Sequence, residues 1–169
     1  MTITRTSLHL LLLLLLSGCA GCPYSFTGSS VPPHLKTIAI PLFDDQSGFG
    51  EPGLRERLTN KLIERFRRDN SLSVVDKTRA DSILEGIITA VRDDPSVVST
   101  GEAVTKRRVT ITVKAFYQDI KLKKKVWERE VSNWGDYDIS GGVAQRQTAD
   151  SLAIDKLAED IVIETVSGW

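Results

Sequence analysis

The spacing of apolar and polar residues changes several times along the chain, and each change marks an element. The first apolar block, Leu8 to Leu16, is nine residues in which only His9 is not leucine. A spanning helix needs about 20 such residues, whereas the apolar stretch of an export signal needs about 7–15. Residues 20–35, AGCPYSFTGSSVPPHL, are rich in Gly, Ser and Pro and read as a tether. "KTIAIPLFDD" predicts a short strand, Thr37 to Phe43, in which Pro41 lacks an N–H and marks an edge or an end. After the turn-like "DDQSGFGEPG", Pro52 sits where a helix could begin. Leu54, Leu58, Leu62 and Phe66 recur every four residues among charged ones, predicting an amphipathic helix of about four turns that stops at Asp69-Asn70-Ser71.

"LSVVD" predicts a second short strand. "ADSILEGIITAVRDD" lacks a clean apolar face, but its Ile, Val and Thr content predicts a strand, followed by a loop from Pro95 to Gly101. The clearest alternation is in "RRVTITVKAFYQD". Val109, Ile111, Val113 and Ala115 face one way, and Arg108, Thr110, Thr112 and Lys114 the other, so one face of this strand is wet or meets a partner. "IKLKKK" is a hairpin turn and "VWEREVSNWGDYD" the returning strand. Trp127 and Trp134, seven apart, fall on opposite faces of it. Gly135, Gly141 and Gly142 break the chain. Ile154, Leu157, Ala158 and Ile161 predict a long C-terminal amphipathic helix. The expected fold class is α+β, a twisted sheet of about four strands with two amphipathic helices packed on one face.

The first apolar block acquires meaning from its flanks. Arg5 precedes it, and Leu16-Ser17-Gly18-Cys19 resembles the lipobox of bacterial lipoproteins. That resemblance implies cleavage before Cys19 and a covalent lipid on its sulfur. Cys22 also follows a glycine, but Cys19 is preferred because Leu16 lies three before it. The expected organisation is a signal peptide at 1–18, a lipidated N-terminus and tether at 19–35, and a folded domain at 36–169. A lipidated Cys19 leaves Cys22 as the one remaining thiol of the sequence, so no intramolecular disulfide is expected.

Without residues 1–18 the chain suits one domain burying roughly 70% of its unfolded surface. The 22 basic and 22 acidic residues balance. A near-neutral chain is not steered as a whole to nucleic acid or to anionic lipid, so electrostatic sites must be local. Little suggests catalysis. His34 lies in the tether and reads as solvated. "GFGEPG" lacks the Lys-Ser/Thr of a phosphate loop. Asp44-Asp45 and Asp93-Asp94 read as solvated turn acids, and no His/Cys cluster has metal spacing. The chain is expected to be a non-enzyme without metal or cofactor beyond the lipid on Cys19. Two basic clusters are candidates for anion contact. One is Lys106, Arg107 and Arg108; the other is Lys121, Lys123, Lys124 and Lys125 in the hairpin. Such crowding is kept by solvation, as an edge that discourages strand pairing, or by a balancing anion.

"CPYSFTGSSVPPHLKTIAIPLFDD" directly behind the lipobox, the "ADSILEGIITAV" stretch and the terminal helix resemble the LptE family, the lipopolysaccharide-assembly lipoproteins of Gram-negative bacteria. The likeness extends over essentially the whole chain after Cys19. It implies a lipoprotein on the periplasmic face of the outer membrane that plugs the LptD β-barrel. Together they insert lipopolysaccharide into the outer leaflet, and the lipoprotein also contacts lipopolysaccharide. The alternative is an envelope module like the amino-terminal domain of TolB, activators of penicillin-binding proteins, or curli-pore subunits. "TIAIPLFDDQSG", the helix after it and "LSVVD" resemble these as well. A pore former should show two long alternating segments, and only one alternates cleanly here.

Overall fold

Where alternation is strict, the strands are long. The computed structural model describes residues 31–96, 105–167 and 169. The expected signal peptide, Cys19, Cys22, tether residues up to 30 and most of the loop after Pro95 lie outside them. In chain order the strands are β1 (Thr37–Ala39), β2 (Asp44–Asp45), β3 (Ser73–Val74), β4 (Ser82–Pro95), β5 (Lys106–Asp119) and β6 (Lys124–Asp138). Helix α1 (Leu54–Asp69) separates β2 from β3, and α2 (Gly142–Ser167) follows β6. All six strands form one mixed sheet, in the order β3-β1-β4-β5-β6 with β2 beside β4. The strands β1, β2 and β3 pair in parallel, whereas β4, β5 and β6 form an antiparallel meander.

The α+β class and the helices on one face are as expected. The sheet has six strands rather than about four because short segments join its margin. Of the strand expected from Thr37 to Phe43 only Thr37–Ala39 pairs, as β1; pairing resumes just beyond its expected end, at Asp44–Asp45, as β2. In α1 the residues Leu54, Leu58, Leu62 and Phe66 are all buried. Asn70 ends the helix in the left-handed conformation, its N–H bonded to the Phe66 carbonyl. Pro52 lies in the turn ahead of this helix, which begins at Leu54.

One apolar cluster joins these α1 residues to Leu84 and Ile88 of β4, to Val109, Ile111, Val113, Ala115 and Tyr117 of β5, and to Ile154, Leu157 and Ile161 of α2. The core face of β4 eluded simple alternation for a structural reason. An extra residue, Thr89, shifts the register between Ile88 and Ala90, so Leu84, Gly86 and Ile88 share a face with Val91. At Gly86 a Cβ would lie 2.2 Å from the Phe43 ring, so the glycine makes room for that buried aromatic. Gly135 does not break the chain as expected. β6 runs through it, and a Cβ there would lie 2.1 Å from the Ala149 carbonyl oxygen of α2. Trp127 is buried at 7% exposure and Trp134 is 41% exposed, in keeping with opposite faces.

Candidate functional site

The hairpin joining β5 to β6 is tied down at its base. Its turn, Ile120–Lys123, starts at Asp119, a carboxylate with only 3% side-chain exposure. One Asp119 oxygen accepts from the Leu122 N–H at 2.8 Å; the other lies 2.5 Å from His34 Nε2. Burial pushes the Asp119 carboxyl up, but the bonds from His34 and the Leu122 amide outweigh it and leave the pKa below its usual value. Asp81, just ahead of β4, completes the base. Its carboxylate meets Lys121 Nζ at 2.8 Å and accepts from the N–H groups of Lys36 and Thr37. Its backbone carbonyl accepts from the Ile120 N–H. Lys121, then the Lys36 amide, hold the Asp81 carboxyl down to about 2 against the opposing effect of burial. Lys121 Nζ also donates to the His34 carbonyl at 2.9 Å.

Residues 31–35, expected to be tether, therefore belong to the packed domain. Leu35 is buried, Val31 packs on the core, and His34 is not freely solvated. No periodicity or motif in the sequence signals this.

The two basic clusters differ once their partners are known. Arg107 Nε lies 2.8 Å from Asp93 Oδ1, and Arg108 makes a two-pronged pair with Asp136 at 2.7 and 2.9 Å. In the hairpin, Lys121 is paired with Asp81 and Lys125 with Glu128. Lys123 and Lys124 have no ion partner among the described residues and are exposed. Lys123 takes the left-handed conformation, φ 52°, which closes the turn. The two clusters stand at opposite ends of β5, as expected from their spacing.

Asp93 corrects another expectation. It is not a solvated turn acid but accepts from Arg107, Tyr137 and Arg146. Burial raises its carboxyl, and these donors more than offset it, so its pKa is lowered. Arg146 of α2 also reaches Glu51 at 3.0 Å and Asp150 at 3.6 Å. Asp150 is almost wholly buried, and burial raises its carboxyl pKa against the pull of Arg146. With Arg57 3.4 Å from Glu51, three arginines face three carboxylates in a structural brace. Asp44 and Asp45 do fit turn chemistry, with Asp45 accepting from the Ser47 N–H and hydroxyl.

The sheet face away from the helices is polar. Thr112 and Ser132 hydroxyls meet at 3.1 Å, Lys114 pairs with Glu128 at 2.7 Å, and the Arg108–Asp136 pair stands beside Trp134. These pairs leave a face that is hydrated or engaged by polar groups without a large dry patch. Among the described residues, no group of three or more His, Cys, Asp or Glu is placed to hold a metal, and no helix is long and apolar enough to cross a membrane.

The family model described as LptE, lipopolysaccharide-assembly, matches residues 35–165. No curated protein sequence matches the chain. Among solved structures, protein XCC0632 from Xanthomonas campestris is similar with TM-score 0.60 and 14% identity, over 83% of this chain and 92% of that one. The hypothetical protein CT253 from Chlamydia trachomatis has TM-score 0.58 and 9% identity, over 77% and 95%. A subunit of the PelC dodecamer from Paraburkholderia phytofirmans has TM-score 0.53 and 13% identity, over 83% and 94%. At these identities the likeness is one of fold.

Proposed function

The chain belongs to the LptE family of lipopolysaccharide-assembly proteins, and on that premise we propose that it is a non-enzymatic outer-membrane lipoprotein. It is lipidated at Cys19, held on the periplasmic face, and partners and plugs an LptD-type β-barrel that inserts lipopolysaccharide into the outer leaflet. The observation that carries the barrel role is the polar sheet face formed by β5 and β6. Its hydroxyls and paired charges suit the polar interior wall of a barrel, which an apolar face would not. For lipopolysaccharide phosphate the hairpin is the better of the two clusters, since Arg107 and Arg108 already have carboxylate partners.

The test is affinity purification from detergent-solubilised outer membrane with mass identification of what co-purifies. A large β-barrel is expected at equal stoichiometry; its absence overturns the plug role. Cys19→Ala is expected to leave an uncleaved or mislocalised protein. Maturation of that variant, with failure of Cys22→Ala instead, would move the lipid to Cys22. Lipopolysaccharide binding is expected to fall when Lys123, Lys124 and Lys125 are all changed to Ser. It is expected to hold when Lys106, Arg107 and Arg108 are changed.

The second reading, an envelope interaction module of the TolB, penicillin-binding-protein-activator or curli-pore type, draws support from the fold likeness to the PelC dodecamer subunit. It predicts a high-order oligomer of this chain, whose mass light scattering of the purified lipoprotein would reveal.

A further inference from the structure

We propose that the tip of the β5–β6 hairpin is a membrane-docking finger. It seats on the anionic phospholipid headgroups of the leaflet that holds the lipid anchor. This rests on the reading that Cys19 carries lipid, and it gives the hairpin a second partner besides lipopolysaccharide.

The tip pairs exposed apolar residues with exposed cations. Leu122 is 64% exposed and Ile120 37%, and they alternate with Lys121 and Lys123, after which come Lys124 and Lys125. A solvated turn has no need of a leucine at its apex. A headgroup layer accommodates both residue types, because the apolar side chain enters the acyl boundary while the ammonium groups stay among phosphates. Lys123 and Lys124, without ion partners among the described residues, are the charges free to meet those phosphates.

The fold also points this finger to the right place. Lys121 Nζ donates to the His34 carbonyl, and His34 Nε2 lies against Asp119 at the foot of the turn. The chain coming from the anchor thus joins the domain beside the hairpin. From Cys19 to His34 an extended chain spans at most about 50 Å, and a flexible one about 20 Å. That reach lets the hairpin end of the sheet touch the bilayer that holds the anchor. A basic, leucine-tipped turn adds a contact that orients the domain on the bilayer, which the lipid alone does not do. The brace from Asp81 and Asp119 holds the turn in its projecting shape before any lipid is met.

The test uses the full lipidated chain in a Cys22→Ser background, with an environment-sensitive fluorophore attached through Leu122→Cys. It is reconstituted into lipopolysaccharide-free vesicles of phosphatidylethanolamine and phosphatidylglycerol, or of phosphatidylcholine alone. A blue shift and quenching by brominated acyl chains are expected in the anionic vesicles, weaker at high salt. Lys123→Glu with Lys124→Glu is expected to reduce the inserted population by roughly 30-fold or more, at about five-fold for each cation lost. Arg92→Ser, at the opposite end of β4, should leave it unchanged. A fluorophore that reports water equally in both vesicle types overturns the proposal, as does insertion indifferent to the two lysines. Protein that fails to float with any vesicle overturns the anchor reading itself. Insertion that depends on the two lysines while lipopolysaccharide binding survives their loss overturns only the lipopolysaccharide contact proposed above.

Discussion

Gly135 shows how one missing methyl group places a helix. Because a Cβ there would meet the Ala149 carbonyl at 2.1 Å, α2 can lie directly on β6. Gly135→Ala has no flexible side chain to displace and is expected to cost about 3 kcal/mol, read as a lower denaturant midpoint. Arg146 is the other decisive residue. Arg146→Met removes the cation shared by Glu51, Asp93 and Asp150 and is expected to cost about 3 kcal/mol in the same measurement. Asp150→Asn should cost much less. Burial raises the folded pKa of Asp150, so its contribution is complete below the ordinary carboxylate range and diminishes as pH rises through it. A neutral amide avoids that loss, and the variant's stability should depend less on pH. None of this was legible in the sequence. Gly135 looked like a break and Asp93 like a turn acid, because the groups that explain them are distant in the chain.

Among the elements, those with a regular period were legible and those set by distant partners were not. β5 alternates without fault, and α1 repeats every four residues, because each buries one face against a continuous core. β4 blurs at Thr89, where the extra residue reverses the parity of its core positions. β2 and β3 are too short to leave a pattern and pair only because β4 and β1 offer an edge. The hairpin's lysines were visible as composition, but its rigid foot was not. That foot makes an acid-sensitive element. Asp81, held to about 2, and Asp119, also lowered, stabilise the hairpin above the ordinary carboxylate range near 4. Their contribution fades as pH falls, with that of Asp81 lost as pH passes through about 2. Protection of the Ile120 and Leu122 amides, taken relative to the intrinsic exchange rate at each pH, should fall over that interval, while amides in the middle of β5 stay protected. Equal loss of protection at both places would mean that the whole sheet, not the foot, responds to acid.

At the scale of the whole molecule, the helices cover one sheet face and leave the other polar, an arrangement the alternation of β5 already implied. The family resemblance was legible because short segments along the chain agreed in order, and the match over residues 35–165 makes it a fact. The position of β1 was not legible. Although it is the first strand, it lies inside the sheet, parallel to β3 on one side and β4 on the other, with its start at the hairpin end. Tension on the chain ahead of Val31, directed away from that end, meets the domain first at the His34–Asp119 clamp and then along both ladders of β1. Those ladders are loaded in shear, so their bonds must give way together rather than one after another. The N-terminal attachment is therefore a mechanical fuse with a defined first element. In single-molecule pulling between the N-terminus and a handle on β5, Asp119→Ala should abolish the first, smaller force step and leave the main one in place. If the unaltered protein and the Asp119→Ala variant give one identical step, the clamp bears no load of its own.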